Sequence, residues 1–168
     1  MAEPEIWLRG AVPGVAELYQ PVAHSLLQCL EEVRETLPAV PPNEIWVRRG
    51  DSAAVGYHVR HAIGSLDRLL TYARGEQLSA EQLAAMRAEA DASLAPRTAD
   101  ELVIAFERAV NRALEQVKGT PQSSAFEHRA VGRGLLPSTV LGLLFHAAEH
   151  TQRHVGQMTT LVRVAGVS

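Results

Sequence analysis

The sequence predicts an all-α protein: an antiparallel four-helix bundle with one additional short helix and long connections. Three observations carry this. Aromatic residues are scarce at 5%, while Ala and Leu recur throughout, a composition that favours helices over sheets. Apolar residues return at helical spacing in four long stretches, each bounded by Pro, Gly or a capping residue. No alternation of apolar and polar residues persists long enough to predict a strand. At 168 residues and 18.2 kDa the chain fits one domain, residues 1–168, with length enough for a single hydrophobic core.

Residues 1–14 hold two prolines and two glycines and read as an irregular lead-in. VAELYQPVAHSLLQCLEEVRETL, from Val15 to Leu37, has helical periodicity, and Pro21 in its opening turns marks where the regular helix begins. PAVPP at 38–42 ends it. NEIWVRRGDSAAVG is a loop that brings Asp51 or Ser52 to the N-cap of a second helix, YHVRHAIGSLDRLLTYAR, which Gly75 stops. Residues 79–94 form a shorter helix that opens on Ser79 with Gln82 three residues later, a capping box, and Pro96 follows it. Thr98 and Glu101 repeat the capping pattern for the helix at 98–119, which Gly119 closes. Residues 120–137 read as a long polar connection, after which Ser138 or Thr139 caps a last helix reaching about Ala165. The connections at 38–51 and 120–137 exceed what a minimal bundle needs, so they are expected to cover an end of it or cross it.

Charge and composition exclude several function classes. The net charge of −3, a pI near 6.2 and a single lysine, Lys118, leave no basic footprint for nucleic acid. No apolar run approaches the ~18 residues of a membrane span, and MAEPEIWLRG lacks the apolar core of a signal peptide. The expected location is the cytoplasm. Cys29, the one cysteine, lies in the apolar run SLLQCLEEV and reads as a small buried hydrophobe.

Histidine placement is what points to a function. FHAAEHTQRHVGQ carries His146, His150 and His154 at two successive spacings of four, one side of one helix. At ~100° per residue, with His146 at the origin, His150 falls at about 40° and His154 at about 80°, while the apolar residues centre at roughly 160–180°. His154 therefore leans furthest towards the core and His146 points outward, so a metal would take the pair His150/His154. A third ligand must come from another helix, and GYHVRHAIG offers His58 and His61. The apolar centre of that helix lies about 80° from His58 and about 140° from His61, so burial alone selects His58. Asp67 and Glu149 are candidate carboxylates to orient an imidazole. His24 reads as a satisfied buried histidine, and His128 lies in the predicted loop.

GYHVRHAIGSLDRLLTYARGE followed much later by HAAEHTQRHVGQM resembles the DinB/YfiT-like superfamily of metal-binding four-helix bundles. The order and spacing of segments match over roughly residues 15–166. Carried over position by position, the resemblance implies His61, His150 and His154 as metal ligands, with His58 the substitute for His61 and His146 an outer neighbour. It also implies a small-molecule substrate and frequent homodimers. Trp7 and Trp46, both in irregular segments, are candidates for such an interface or for closing the bundle end.

Three histidines without a cysteine leave a coordination position open, the mark of a catalytic ion, and an all-imidazole set suits zinc or nickel. Characterised branches of the superfamily include thiol-dependent S-transferases and isomerases that use bacillithiol or mycothiol. The resemblance therefore implies a metal-dependent enzyme, a thiol transferase or a hydrolase, with a low-molecular-weight thiol as the second cofactor of the transferase. Arg48, Arg49, Arg60 and Arg153 are the cations available to carboxylates of such a molecule. No catalytic residue or cofactor-binding motif is recognisable beyond the ligands. A non-catalytic metal-binding or interaction protein of the same fold is the alternative reading, and a helical protein with incidental histidines the third.

Overall fold

The computed structural model describes residues 3–96 and 98–166. Four long helices and one short one account for most of them: α1 (Gln20–Thr36), α2 (Val55–Ala73), α3 (Ala80–Arg87), α4 (Ala99–Gly119) and α5 (Val140–Val164). Helix α1 packs on α4 and α5, and α2 packs on the same two, so the four long helices close a ring around the core. Leu26, Cys29 and Val33 of α1 meet Val59 and Leu66 of α2, Leu102, Phe106 and Val110 of α4, and Leu144, Val155 and Met158 of α5 there. Burying each large apolar side chain contributes roughly 1.5–3 kcal/mol, which is what holds these helices together.

Helix direction follows from which ends meet. Tyr19 at the start of α1 reaches Pro121 just beyond α4, so those two helices run antiparallel. In α2 and α5, His58 meets His154 and His61 meets His150, which makes that pair antiparallel as well. Helices α2 and α4 run the same way. Trp46 packs over Gly56 at the start of α2 and bonds the Pro96 carbonyl just before α4, while Gln116 near the end of α4 bonds the Leu70 carbonyl near the end of α2. The crossover that permits this is residues 74–98, which include α3. Periodicity alone carries no such information about direction.

Local signals explain most boundaries. Pro21 stands in the first turn of α1. Both capping boxes form, at Ser79/Gln82 and Thr98/Glu101, and Thr139 caps α5 through the Gly142 amide. Gly75, with φ +82°, ends α2.

Two boundaries differ from expectation. Helix α2 is not capped by Asp51 or Ser52: its N-cap is Ala54, and the Gly56 amide donates instead to the Ile45 carbonyl of the incoming loop at 2.8 Å. That loop lies so close that a Cβ on Gly56 would sit 2.7 Å from Ile45 Cγ2. Helix α3 stops at Arg87, and a 3-10 turn, Ala92–Leu94, follows, whose start the Asp91 carboxylate caps by accepting from the Ser93 amide.

Residues predicted as a polar connection form a β-hairpin, β1 (His128–Val131) with β2 (Leu136–Thr139), antiparallel in register His128↔Thr139 to Val131↔Leu136. Four-residue strands that stay half-buried or exposed show no alternation, and Pro137 reads as a breaker although an edge position accepts it. Gly132 and Leu135, both with positive φ, make the turn. Arg129 ties the hairpin to the end of α2 through the Ala73 carbonyl at 2.8 Å. None of the described helices is long and apolar enough to cross a membrane.

Candidate metal centre

The antiparallel seam of α2 and α5 brings histidines from the two helices face to face. His61, His150 and His154 each offer one ring nitrogen, and these three nitrogens lie within 4.8 Å of one another. His61 Nε2 and His150 Nε2 are 3.0 Å apart. Ligands ~2.0–2.1 Å from a tetrahedral zinc are separated by about 3.3 Å, so the cluster is already near the dimensions of an ion's ligand sphere. The donor set suits a divalent metal for a second reason: two of its rings, His150 and His154, are biased towards the neutral form. Burial, and then the neighbouring His61 and His150 rings, push His154 down to about 4. Burial, followed by the charge of His61, likewise lowers His150. A neutral imidazole presents a lone pair, whereas a protonated one repels a cation.

His61 is held from behind by a buried carboxylate. Glu89 Oε2 lies 2.7 Å from His61 Nδ1, and Glu89 Oε1 pairs with Arg68 Nη1 about two helical turns further along α2. Burial would raise the Glu89 carboxyl, but the hydrogen bonds from His61 and Arg68 bring it below the usual carboxylate range. An ionised carboxylate only accepts, so the proton of His61 is fixed on Nδ1 and the lone pair on Nε2 faces the cluster. Gly64 makes room for this. A Cβ there would collide with Glu89 Oε1 and sit 2.8 Å from Arg68 Nη1, so a larger residue would force the carboxylate and the guanidinium to shift from their present positions.

His58 is the most enclosed of the four rings, 6% exposed, as its position on the wheel indicates. It does not join the three but stands behind His154, Nδ1 to Nδ1 at 3.0 Å, and its Nε2 is buried with no hydrogen-bond partner among the described residues. Burial and then His61 lower its pKa. His61 instead keeps a fifth of its side chain exposed, at the open edge of the seam. Tyr57 stacks on it with ring centres 5.5 Å apart and 15° between planes.

The other candidates lie outside the cluster. His146 is half-exposed and 3.4 Å from Glu149, which turns away to pair with Arg153. Asp67 accepts from Gln82 and so helps hold α3 on α2. His24 meets the Gly10 carbonyl at 2.9 Å, and His128 is exposed on β1. Glu89 is the residue that sequence reasoning missed: it sits 28 positions from His61 in a turn, and no spacing rule marks it.

The model of the DinB superfamily matches residues 18–158. Among solved structures, a DinB-like protein from Bacillus cereus ATCC 10987 superimposes with a TM-score of 0.63 at 15% identity, covering 85% of this chain and 92% of that one. No curated protein matches the sequence.

Proposed function

The chain belongs to the DinB superfamily, and on that premise we propose that it is a cytoplasmic metal-dependent enzyme acting on a small molecule, with no part in nucleic-acid binding. His61, His150 and His154 are its metal ligands, and zinc or nickel is the ion. The observation that carries the reading is the three ring nitrogens within 4.8 Å of one another, one of them oriented by a buried carboxylate. An ion held by three imidazoles keeps a position open and supplies Lewis acidity to a thiol or a water, which makes the reaction a thiol-dependent transfer or a hydrolysis.

The residues of the chain contribute the rest. Glu89 keeps the His61 proton on Nδ1, and Arg68 keeps Glu89 ionised. His58 fixes the His154 ring from behind. Tyr57 covers one face of His61 and limits water on that side.

Elemental mass spectrometry on the purified protein tests the assignment. Near-unit metal in wild type and His58→Ala, and loss in His61→Ala and His154→Ala, is the expected result. Loss in His58→Ala with retention in His61→Ala would transfer the ligand role to His58. A wild-type protein that neither carries nor takes up zinc or nickel would end the metalloenzyme reading.

We also propose a homodimer, for which Trp7, 61% exposed beside the exposed Leu8, is the candidate contact. Trp46 instead closes the bundle end over Gly56. Light scattering that returns a monomer mass would remove this proposal.

A further inference from the structure

A cleft of about 370 Å³ lies against Tyr57, with Trp46, Arg48, Ala53, Ala54, Ala90 and Ala92 as its other walls. Its volume falls in the range of small-molecule sites. Two features join it to the cluster. Tyr57, one wall, stacks on the face of His61, and Glu89, which meets the Nδ1 edge of the same ring, is the chain neighbour of Ala90, another wall.

The walls are fixed before any ligand arrives. Trp46 donates its indole N–H to the Pro96 carbonyl at 2.9 Å and lies against the bare Cα of Gly56. Tyr57 is held between His61 and the edge of His58. The Arg48 guanidinium donates through Nε to the Ser52 carbonyl and through Nη2 to that of Asp51. A preorganised site loses little side-chain entropy on binding.

Chemically the cleft is apolar with one cation. Of the four arginines named as candidates, Arg49 pairs with Glu44 and Arg153 with Glu149, while Arg60 donates to the Glu89 and Asp91 carbonyls. Arg48 alone lines the cleft, and among the described residues no carboxylate partners it. Two aromatic walls and small alanines suit a planar apolar body, and Arg48 suits an anionic group at its rim.

We infer that this cleft binds a planar apolar carboxylate, an aryl-alkanoate in chemical class, and that such a molecule is the substrate of the metal centre. The substrate part rests on the metalloenzyme reading; the binding part does not, since none of the wall residues is a proposed ligand.

The test uses the full chain carrying Trp7→Phe, which leaves Trp46 as the single tryptophan. Its emission is followed during titration with 3-phenylpropanoate and with the neutral 3-phenylpropanamide, in metal-stripped and in zinc-loaded protein. The acid should give a saturable change in both forms and bind ~3–10-fold more tightly than the amide. Arg48→Gln should abolish that preference, and Ala53→Leu, which fills the cleft from a half-exposed position, should weaken both ligands. Circular dichroism verifies that each variant is folded. No saturable change, equal affinity for acid and amide, or binding unaffected by Ala53→Leu overturns the inference. Acid binding in a protein that takes up neither zinc nor nickel keeps the binding site and overturns the metal reading, whereas metal uptake without acid binding does the reverse.

Discussion

Replacing Glu89 by Gln changes one group and almost no volume. The side chain is only 9% exposed and serves two donors, His61 Nδ1 at 2.7 Å and the Arg68 guanidinium. A glutamine has one acceptor oxygen and one NH₂ group, so whichever donor keeps the oxygen, the other faces N–H. If Arg68 keeps it, the amide donates to His61 Nδ1 and moves the imidazole proton to Nε2, the nitrogen that faces His150. A proton there must be displaced by the ion. Loss of such an orienting partner lowers metal affinity by ~10–100-fold, or about 1.4–2.7 kcal/mol. Competition against a chromogenic zinc chelator near neutral pH measures this, with thermal melts of the metal-free proteins as the control for folding. The Arg68 charge left without its carboxylate should also cost the metal-free fold about 1–3 kcal/mol. A Glu89→Gln protein that folds and binds zinc within about twofold of wild type, against the loss expected for a removed orienting carboxylate, would refute the role given to Glu89.

Gly64→Ala tests the same contact from the helix side. An exposed helical Gly→Ala change gains about 1 kcal/mol, but here the added methyl strikes Glu89 Oε1. The expected outcome is weaker zinc binding in the chelator titration with no gain in melting temperature. Cys29 is wholly buried, and burial pushes its thiol up to about 12. A disulfide-exchange reagent should leave the folded protein unlabelled and react once per chain in denaturant; rapid labelling of the native protein would show that the thiol is accessible.

The sequence reveals those parts of the site that repeat along one helix. His150 and His154 are recognisable because a spacing of four sets two rings side by side whatever else the chain does. The choice between His58 and His61 shows the limit of the wheel. It ranks burial correctly, with His58 the more enclosed, but the cluster forms at the rim of the seam, where His61 keeps some exposure. Only the resemblance proposes His61 as a ligand, and His61 is the α2 ring whose nitrogen lies together with those of His150 and His154. Glu89 is invisible for a related reason. It reaches the cluster from a turn created where α3 stops short, and one acidic residue among nineteen Asp and Glu carries no mark of that. The hairpin was hidden by its shortness and by Pro137, which forbids a central strand yet is harmless on an edge.

His61 and His150 touch across 89 positions of sequence, whereas His150 and His154 are one turn apart. An ion held by the last two alone is a local clip on α5, within reach of a partly formed chain. Adding His61 closes a ring that contains α3, α4 and the hairpin. In polymer terms, a loop of that size removes roughly 4–5 kcal/mol of entropy from the open chain, about as much as a long-range disulfide. Three-point coordination would thereby register whether the whole topology has been completed, and a misassembled bundle would hold its metal with only two.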